Sequence, residues 1–164
     1  MAEYIDVEIK GLREINKNLA KLGSNIQKKA AQQMSSATSS SFARTVRKNC
    51  PVVTGTLKKS IKSVKRKADD KGVFYQVGFT TGRKAKYNGY YSHIVEFGAA
   101  EHTIPRKGES KLMRVGRNWF TGPIHHPGAT PRRFVTRSFE EGQVRALAAG
   151  RRAFERALKK YGTK

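Results

Sequence analysis

Residues 51–61 read PVVTGTLKKSI, and this stretch marks the point where a long helix gives way to a sheet. Pro51 disfavours helical geometry at the residue before it, so the preceding helix should end near Cys50. The Thr54 hydroxyl can bond the backbone of a turn, and Gly55 permits the positive φ with which a chain reverses. The stretch therefore separates a helical N-terminal part from a strand-containing part.

Upstream of this stretch, the apolar spacing changes from that of a strand to that of a helix. Residues 4–9 read YIDVEI and alternate in polarity, which predicts a half-buried strand. From Leu12 onward, apolar residues recur every three or four positions, which predicts one buried helical face. The pair Gly23-Ser24 can divide this helix in two, with Ser24 as the N-cap of the second part.

Downstream, two short strands and a second helix are predicted. Residues 57–64 and 73–79 have the pattern of apolar and polar residues that is typical of strands, and the residues between them favour a turn, which predicts a hairpin. In residues 99–130 the apolar residues do not recur at the regular spacing of a helix or a strand, which predicts a long exposed loop. Helical spacing returns over 132–161. This order predicts one α+β domain over 1–164, with a long N-terminal helix and a C-terminal helix packed on a small, mainly antiparallel sheet.

The chain is strongly basic along its whole length. It contains 34 Lys and Arg against 12 Asp and Glu, a formal net charge of +22 with neutral histidines. Because the excess is distributed, the folded body itself must present positive potential, which favours a polyanion such as nucleic acid. An acidic protein partner or a need for solubility would explain the same composition.

The sequence offers no recognisable catalytic pattern, so we predict that the protein is not an enzyme and needs no cofactor. His125 and His126 lack a flanking Cys or carboxylate and are predicted to be loop histidines and not metal ligands. Cys50, the single cysteine, fits a reducing cytoplasm and is predicted to be buried or incidental. Glu96, the one carboxylate in an apolar setting, is predicted to pair with Arg or to accept backbone N–H groups. No apolar run suits a membrane span, and the acidic residues 1–6 do not resemble a secretory signal.

Three segments together resemble elements of one known family. Residues 51–61 resemble P-x-x-T-G-x-L-[KR]-x-S-I, residues 90–98 (YYSHIVEFG) resemble Y-[AS]-x-x-V-E-F-G-T, and residues 131–134 (PRRF) resemble its closing P-x-x-F element. The family is the gp10-like tail-component family of bacteriophage HK97, which includes tail-completion and head-tail joining proteins. This chain differs from its pattern at Ala99, where Thr is usual, and in the length of 99–130.

The motif residues are predicted to be scaffold and not an active site, because turn and packing chemistry explains them. Glu96, for example, can hold the turn after Phe97 through backbone N–H groups. The predicted scaffold residues are Pro51, Thr54, Gly55, Leu57, Ser60, Tyr91, Glu96, Phe97, Gly98, Pro131 and Phe134.

The resemblance implies a structural virion protein of a tailed phage or prophage, placed in the neck or upper tail after assembly in the host bacterial cytoplasm. It implies a homo-oligomeric six-fold ring that completes the tail and joins it to the head connector, with the tail tube or terminator protein as a further partner. DNA would pass through the ring lumen, and no membrane is involved. The exposed face of the first helix and the loop 99–130 are the candidate contact regions, and the candidate contact residues are Arg114, Arg117, Trp119 and Phe120.

The alternative from another class is a sequence-nonspecific DNA- or RNA-binding protein. Its candidate surface is a basic stripe on the predicted hairpin, which comprises Lys58, Lys59, Lys62, Lys65 and Arg66. On a strand these residues would not all share one face. A recognisable nucleic-acid-binding motif is also missing from the sequence.

Overall fold

A long helix, α1, spans Ser24–Asn49 in the computed structural model and ends one residue before Cys50. The predicted end of this helix is therefore confirmed. The structure describes residues 24–66, 75–105, 113–115 and 117–161. The predicted strand 4–9, the break at Gly23-Ser24 and the first half of the predicted helical face lie outside these residues.

After the turn at Gly55, the chain forms a short helix, α2 (Thr56–Ser60), and then the strand β1 (Ile61–Lys65). The prediction of a strand beginning at Leu57 was wrong, because Leu57 and Ser60 are both buried at helical spacing. The Lys59 N–H donates to the Gly55 carbonyl oxygen at 3.0 Å, which closes the helical turn. The predicted partner strand, β2 (Tyr75–Phe79), pairs with β1 in a two-stranded sheet.

Two more helices flank the segment that was predicted to be a loop. Helix α3 spans Ser92–Phe97, and helix α4 spans Phe134–Tyr161, two residues shorter at its start than predicted. The predicted α+β class is confirmed. The strands form three separate two-stranded sheets, and not one larger sheet, in the described part of the chain.

The predicted loop 99–130 contains four short strands in a nested antiparallel arrangement, which we call the arm (residues 99–129). Each strand has three residues, too few for alternation to be recognised in the sequence. The inner pair is β4 with β5, the outer pair is β3 with β6, and an isolated bridge joins Ala99 to Ala129. The strands are β3 (His102–Ile104), β4 (Met113–Val115), β5 (Asn118–Phe120) and β6 (Ile124–His126).

The described residues divide into two compact units. Unit 1 contains residues 24–43, 63–66, 75–77 and 142–161, and unit 2 contains the remaining described residues. Each unit draws on both α1 and α4, so the division does not follow chain order. The single-domain organisation stays a prediction.

In unit 1, the core is built from small residues and a few larger apolar side chains. Ala30, Phe154 and Ala157 are buried together, and Met34 packs against them. Gly150 is buried on α4, where an added Cβ would overlap the Thr38 hydroxyl and lie 3.3 Å from the Met34 carbonyl oxygen. Gly150 therefore allows the two helices to approach closely within this unit.

In unit 2, the largest fully buried side chain belongs to Phe134, the first residue of α4. The Phe79 ring meets it edge-on, with 6.0 Å between the ring centroids. Ile61 is buried as well, and its carbonyl oxygen accepts two hydrogen bonds from the Arg47 guanidinium at 2.7 and 3.2 Å. The end of α1 is thereby joined to the start of β1.

We predict that Gly150→Val lowers the free energy of unfolding by about 1–3 kcal/mol, because the added methyl groups overpack the space that Thr38 occupies. Urea denaturation followed by circular dichroism measures this change. Gln143→Val at an exposed position of α4 is the control, with an expected change below about 0.5 kcal/mol. Equal stability of the two variants would contradict the close approach at Gly150.

Candidate functional site: motif scaffold and arm

The carboxylate of Glu96 on α3 is only 5% exposed and caps the first turn of α4. One oxygen, Oε2, accepts the Val135 N–H at 2.8 Å. The other, Oε1, accepts the N–H and the hydroxyl of Thr136 at 2.9 and 2.7 Å. N–H groups in a first turn have no partner inside their own helix, and the helix dipole favours a negative charge there. Glu96 therefore satisfies donors that α4 cannot satisfy itself.

Of the two interactions predicted for Glu96, backbone acceptance is the observed one, but the donors are not those expected. We expected the turn after Phe97 to supply them. That turn is closed by its own backbone, since the Gly98 N–H donates to the Ile94 carbonyl oxygen at 2.8 Å. The Glu96 side chain is consequently available to bind α4. The sequence could not identify this partner, because Val135 and Thr136 lie about 40 residues further along the chain.

The backbone before α4 is also bound to α3. The Arg132 N–H donates to the Val95 carbonyl oxygen at 2.9 Å, and the Arg133 N–H donates to the Glu96 carbonyl oxygen at 3.1 Å. Arg133 has a φ of 45°, in the left-handed region that non-glycine residues seldom adopt. These two bonds hold the chain in this turn immediately before the first residue of α4.

Gly98 explains why α3 ends where it does. Its φ is 78°, and an added Cβ would lie 2.5 Å from the Ala129 carbonyl oxygen and 3.0 Å from Pro131 Cδ. Only glycine fits a position that combines this φ with so close a neighbouring chain. The structure thus brings together the segments 90–98 and 131–134, which are more than 30 residues apart in the sequence.

The segment 51–61 forms a second packed site in unit 2, centred on the fully buried Ser60. The Ser60 hydroxyl donates to the Leu57 carbonyl oxygen at 2.7 Å, and the Ser60 carbonyl oxygen accepts the Thr80 N–H at 2.8 Å. Gly89 lies against Ser60 so closely that an added Cβ would overlap the Ser60 hydroxyl. Ser60 is therefore a packing and hydrogen-bonding residue.

The remaining motif residues lie nearer the surface. Gly55 has a φ of 76°, as a turn requires, and the Thr54 hydroxyl accepts the Thr56 N–H at 3.4 Å. Pro51 and Tyr91 are partly buried, whereas Pro131 is exposed. Phe97 is 72% exposed, so burial does not account for its presence in the motif.

The arm leaves the scaffold at a tightly paired root. Ala99 and Ala129 exchange two backbone hydrogen bonds of 3.0 and 2.9 Å. Gly128 has a φ of 83°, and an added Cβ would overlap the Ala99 carbonyl oxygen. The root begins directly after Gly98, so the scaffold around Glu96 sets the place from which the arm extends.

The β4–β5 pair, which we call the tip of the arm, carries the four predicted contact residues. Trp119 is 60% exposed and Phe120 is 37% exposed. Arg114 lies opposite Trp119 in the ladder, and the exposed Arg117 precedes β5. The structure therefore brings these four residues to one short hairpin.

None of the arm side chains that the structure describes is buried. A two-stranded hairpin of this kind is marginally stable in water unless another surface covers it.

His125 and His126 lie on β6 and not in the predicted loop. The His126 ring is stacked on the His102 ring, with 5.0 Å between the ring centroids. Within the described residues, no group of three or more His, Cys, Asp or Glu side chains is arranged to hold a metal ion.

The five predicted DNA-facing residues are all exposed, but they do not form a stripe on one strand. Lys58 and Lys59 lie on the short helix α2, and Lys62 and Lys65 lie on β1. Lys58, Lys59 and Lys62 belong to unit 2, whereas Lys65 and Arg66 belong to unit 1. Lys59 lies over the Tyr87 ring at 5.2 Å, and Arg66 Nε donates to Gln76 Oε1 at 2.7 Å.

Comparison with known proteins matches residues 13–98, just over half of the chain, to the family described as "HK97-gp10_like: Bacteriophage HK97-gp10, putative tail-component". The matched range contains the segments 51–61 and 90–98 and ends at Gly98. No curated protein and no solved structure gives a match. No described helix is both long enough and apolar enough to cross a membrane.

We predict that Glu96→Ala lowers the free energy of unfolding by about 2–3 kcal/mol, because it leaves partly buried donors of α4 without an acceptor. Glu96→Gln keeps one acceptor oxygen and should lose about half as much. Glu101→Gln, which removes only an exposed contact of 3.6 Å to His125, is the control and should change stability by less than about 0.5 kcal/mol. Urea denaturation checks all three, and a loss for Glu96→Ala no larger than that of the control would contradict the cap.

Cys50 should react slowly with thiol reagents in the folded protein. Burial raises the pKa of its thiol, and the nearby positive charge of Lys58 offsets this only in part. The thiolate is the reactive form, so we expect modification at pH 8 to be at least about tenfold slower than in the unfolded protein. Absorbance after addition of Ellman's reagent measures the two rates, and equal rates would contradict the burial of the thiol.

Proposed function

The chain belongs to the HK97-gp10-like family of bacteriophage tail components, and we propose that it forms a homo-oligomeric ring at the junction between tail and head. Membership in this family supports a structural role in the virion. In the proposed ring, identical subunits complete the tail, join it to the head connector, and contact the tail tube or terminator protein. Assembly and docking are the whole activity, with no reaction catalysed.

The arm is the observation that carries this proposal. A closed ring needs a head-to-tail contact in which two different surfaces of the subunit meet. A projecting hairpin on one side of the subunit and a receiving surface on the neighbour satisfy this requirement. The arm has no buried side chain among those described, so contact with a neighbouring subunit would supply the covering that it lacks alone.

Charge supports an apolar contact at the arm. Every subunit carries a formal net charge of +22, so identical subunits repel one another overall, and an apolar contact would offset this repulsion. Trp119 and Phe120 at the tip are large exposed side chains of the kind that anchor interfaces. We therefore assign the subunit contact to the tip and place the connector and tail partners on other surfaces.

In the phage that encodes this chain, loss of the protein should leave DNA-filled heads and unjoined tails. The variant Trp119→Ala with Phe120→Ala should restore fewer than about one per cent of joined particles, because an interface loses most of its affinity when its anchors are removed. Negative-stain electron microscopy and plaque counts after complementation measure both effects. Circular dichroism of the purified variant checks that it is folded.

The matched control is Val53→Ala with Val144→Ala, which removes apolar surface at positions that are 98% and 76% exposed outside the arm. This control should complement as well as the unmodified protein. Joined particles without the protein would overturn the proposed function. Full complementation by the arm variant would overturn the role of the tip.

A further inference from the structure

Unit 1 is almost entirely cationic in its described residues. Its only carboxylate there belongs to Glu155, which pairs with Arg151 at 3.3 Å on the same helix. All ten of its described Lys and Arg side chains are exposed. The ten are Lys28, Lys29, Lys65, Arg66, Arg145, Arg151, Arg152, Arg156, Lys159 and Lys160.

Half of these ten cations lie along one side of α4, on a surface that we call the cationic stripe (Arg145, Arg152, Arg156, Lys159 and Lys160). At 3.6 residues per turn they fall within a sector of about 100°, and the stripe is about 22 Å long. The buried residues Ala146, Ala153 and Ala157 lie on the neighbouring face of the helix. The centre of the stripe is about 90° around the helix from the centre of this buried face.

The stripe ends where α1 adds further positive charge. Lys29 of α1 and Lys160 of α4 both lie over the ring of Tyr161, at 5.0 and 5.5 Å from its centroid. The fold thus holds two ammonium groups against one ring. A bound anion would neutralise part of this positive charge.

A polar groove adjoins the stripe within unit 1. It is open, has a volume of about 370 Å³, and is lined by amide and hydroxyl side chains together with Arg156. Arg156 Nε donates to the Arg152 carbonyl oxygen at 3.2 Å, which holds the guanidinium against the helix. Gln and Ser side chains commonly bind phosphate oxygens. The side-chain groups come from Gln32, Gln33, Ser36, Ser40 and Tyr75.

We propose that the cationic stripe, with Lys28 and Lys29, binds the backbone of duplex DNA without reading its sequence. A stripe of about 22 Å spans roughly six base pairs at about 3.4 Å each, over which one DNA strand presents about six phosphates to the five cations of the stripe. An acidic protein is the less suitable partner, because none of the described aromatic side chains of unit 1 is exposed to anchor it. This surface differs from the one that the sequence suggested on residues 58–66, and it does not depend on ring formation.

The test compares the full-length protein with two triple variants of equal net charge. Arg145→Gln, Arg152→Gln and Arg156→Gln change the stripe, and Gln suits a helix as well as Arg does. Arg83→Gln, Lys84→Gln and Lys86→Gln change an exposed loop of unit 2 and serve as the control. Fluorescence anisotropy measures affinity for a labelled duplex of about 20 base pairs between about 50 and 200 mM salt, where counterion release dominates.

We expect the stripe variant to bind the duplex at least about tenfold more weakly, with a log–log salt slope smaller by two to three, because three phosphate contacts are lost. The control should lose less than about threefold. Equal losses in both variants would show a diffuse charge effect and overturn the proposal. Binding of polyglutamate as tight as that of the duplex at equal charge would also overturn it, in favour of an acidic protein partner. Loss of head-tail joining in the arm variant with unchanged DNA affinity would show that the two proposals are separate.

Discussion

The carboxylate of Glu96 is the interaction on which the rest of unit 2 depends. It satisfies the first turn of α4 through three hydrogen bonds, and the backbone of the same helix, α3, binds Arg132 and Arg133. Phe134 then enters the core beside Phe79. A charged group that is almost fully buried is tolerated because each of its oxygens has a donor and because a helix N-terminus faces it. Polar bonding and apolar packing thus meet at the same place in the chain.

The scaffold and the arm have different physical characters. The scaffold combines buried hydrogen bonds, two glycines with positive φ and close packing. The arm combines backbone pairing with exposed or half-buried side chains and has no buried core among its described residues. Since the arm begins at the residue after Gly98, the scaffold determines where the arm starts. The family match ends at the same glycine.

Local features of the sequence predicted the two long helices, α1 and α4, well. Pro51 marked the end of α1, and apolar spacing marked α4 to its last described residue, Tyr161. The strand predicted from Leu57 was wrong because the four-residue step from Leu57 to Ile61 fits one helical turn as well as a strand. The structure has the helical turn, with Ser60 buried beside Leu57. The strands of the arm were not predicted because a three-residue strand is too short to show a regular alternation of apolar and polar residues. Their pairing, as between residues 102–104 and 124–126, joins segments that are distant in the sequence.

The candidate sites show the same contrast. The motifs identified Glu96 and Gly98 as important, but only the structure shows that their partners are Thr136 and Ala129. These partners come from segments distant in the sequence, and no spacing rule connects them. The predicted basic residues 58–66 were chosen because they lie close together on the predicted hairpin, whereas the basic residues on α4 follow one another at steps of seven, four and three or four residues. A helical stripe of this kind is visible only after the face that packs inward is known.

The dependence of both units on α4 has a consequence for how the protein is made. Unit 2 takes residues 134–141 from this helix, and unit 1 takes residues 142–161. During translation these residues leave the ribosome after every other described residue, so an emerging chain has neither core complete. Its Glu96 carboxylate has no helix to cap until then, and the contacts that close both units span long stretches of chain. A chain truncated before α4 should therefore be unable to complete either unit.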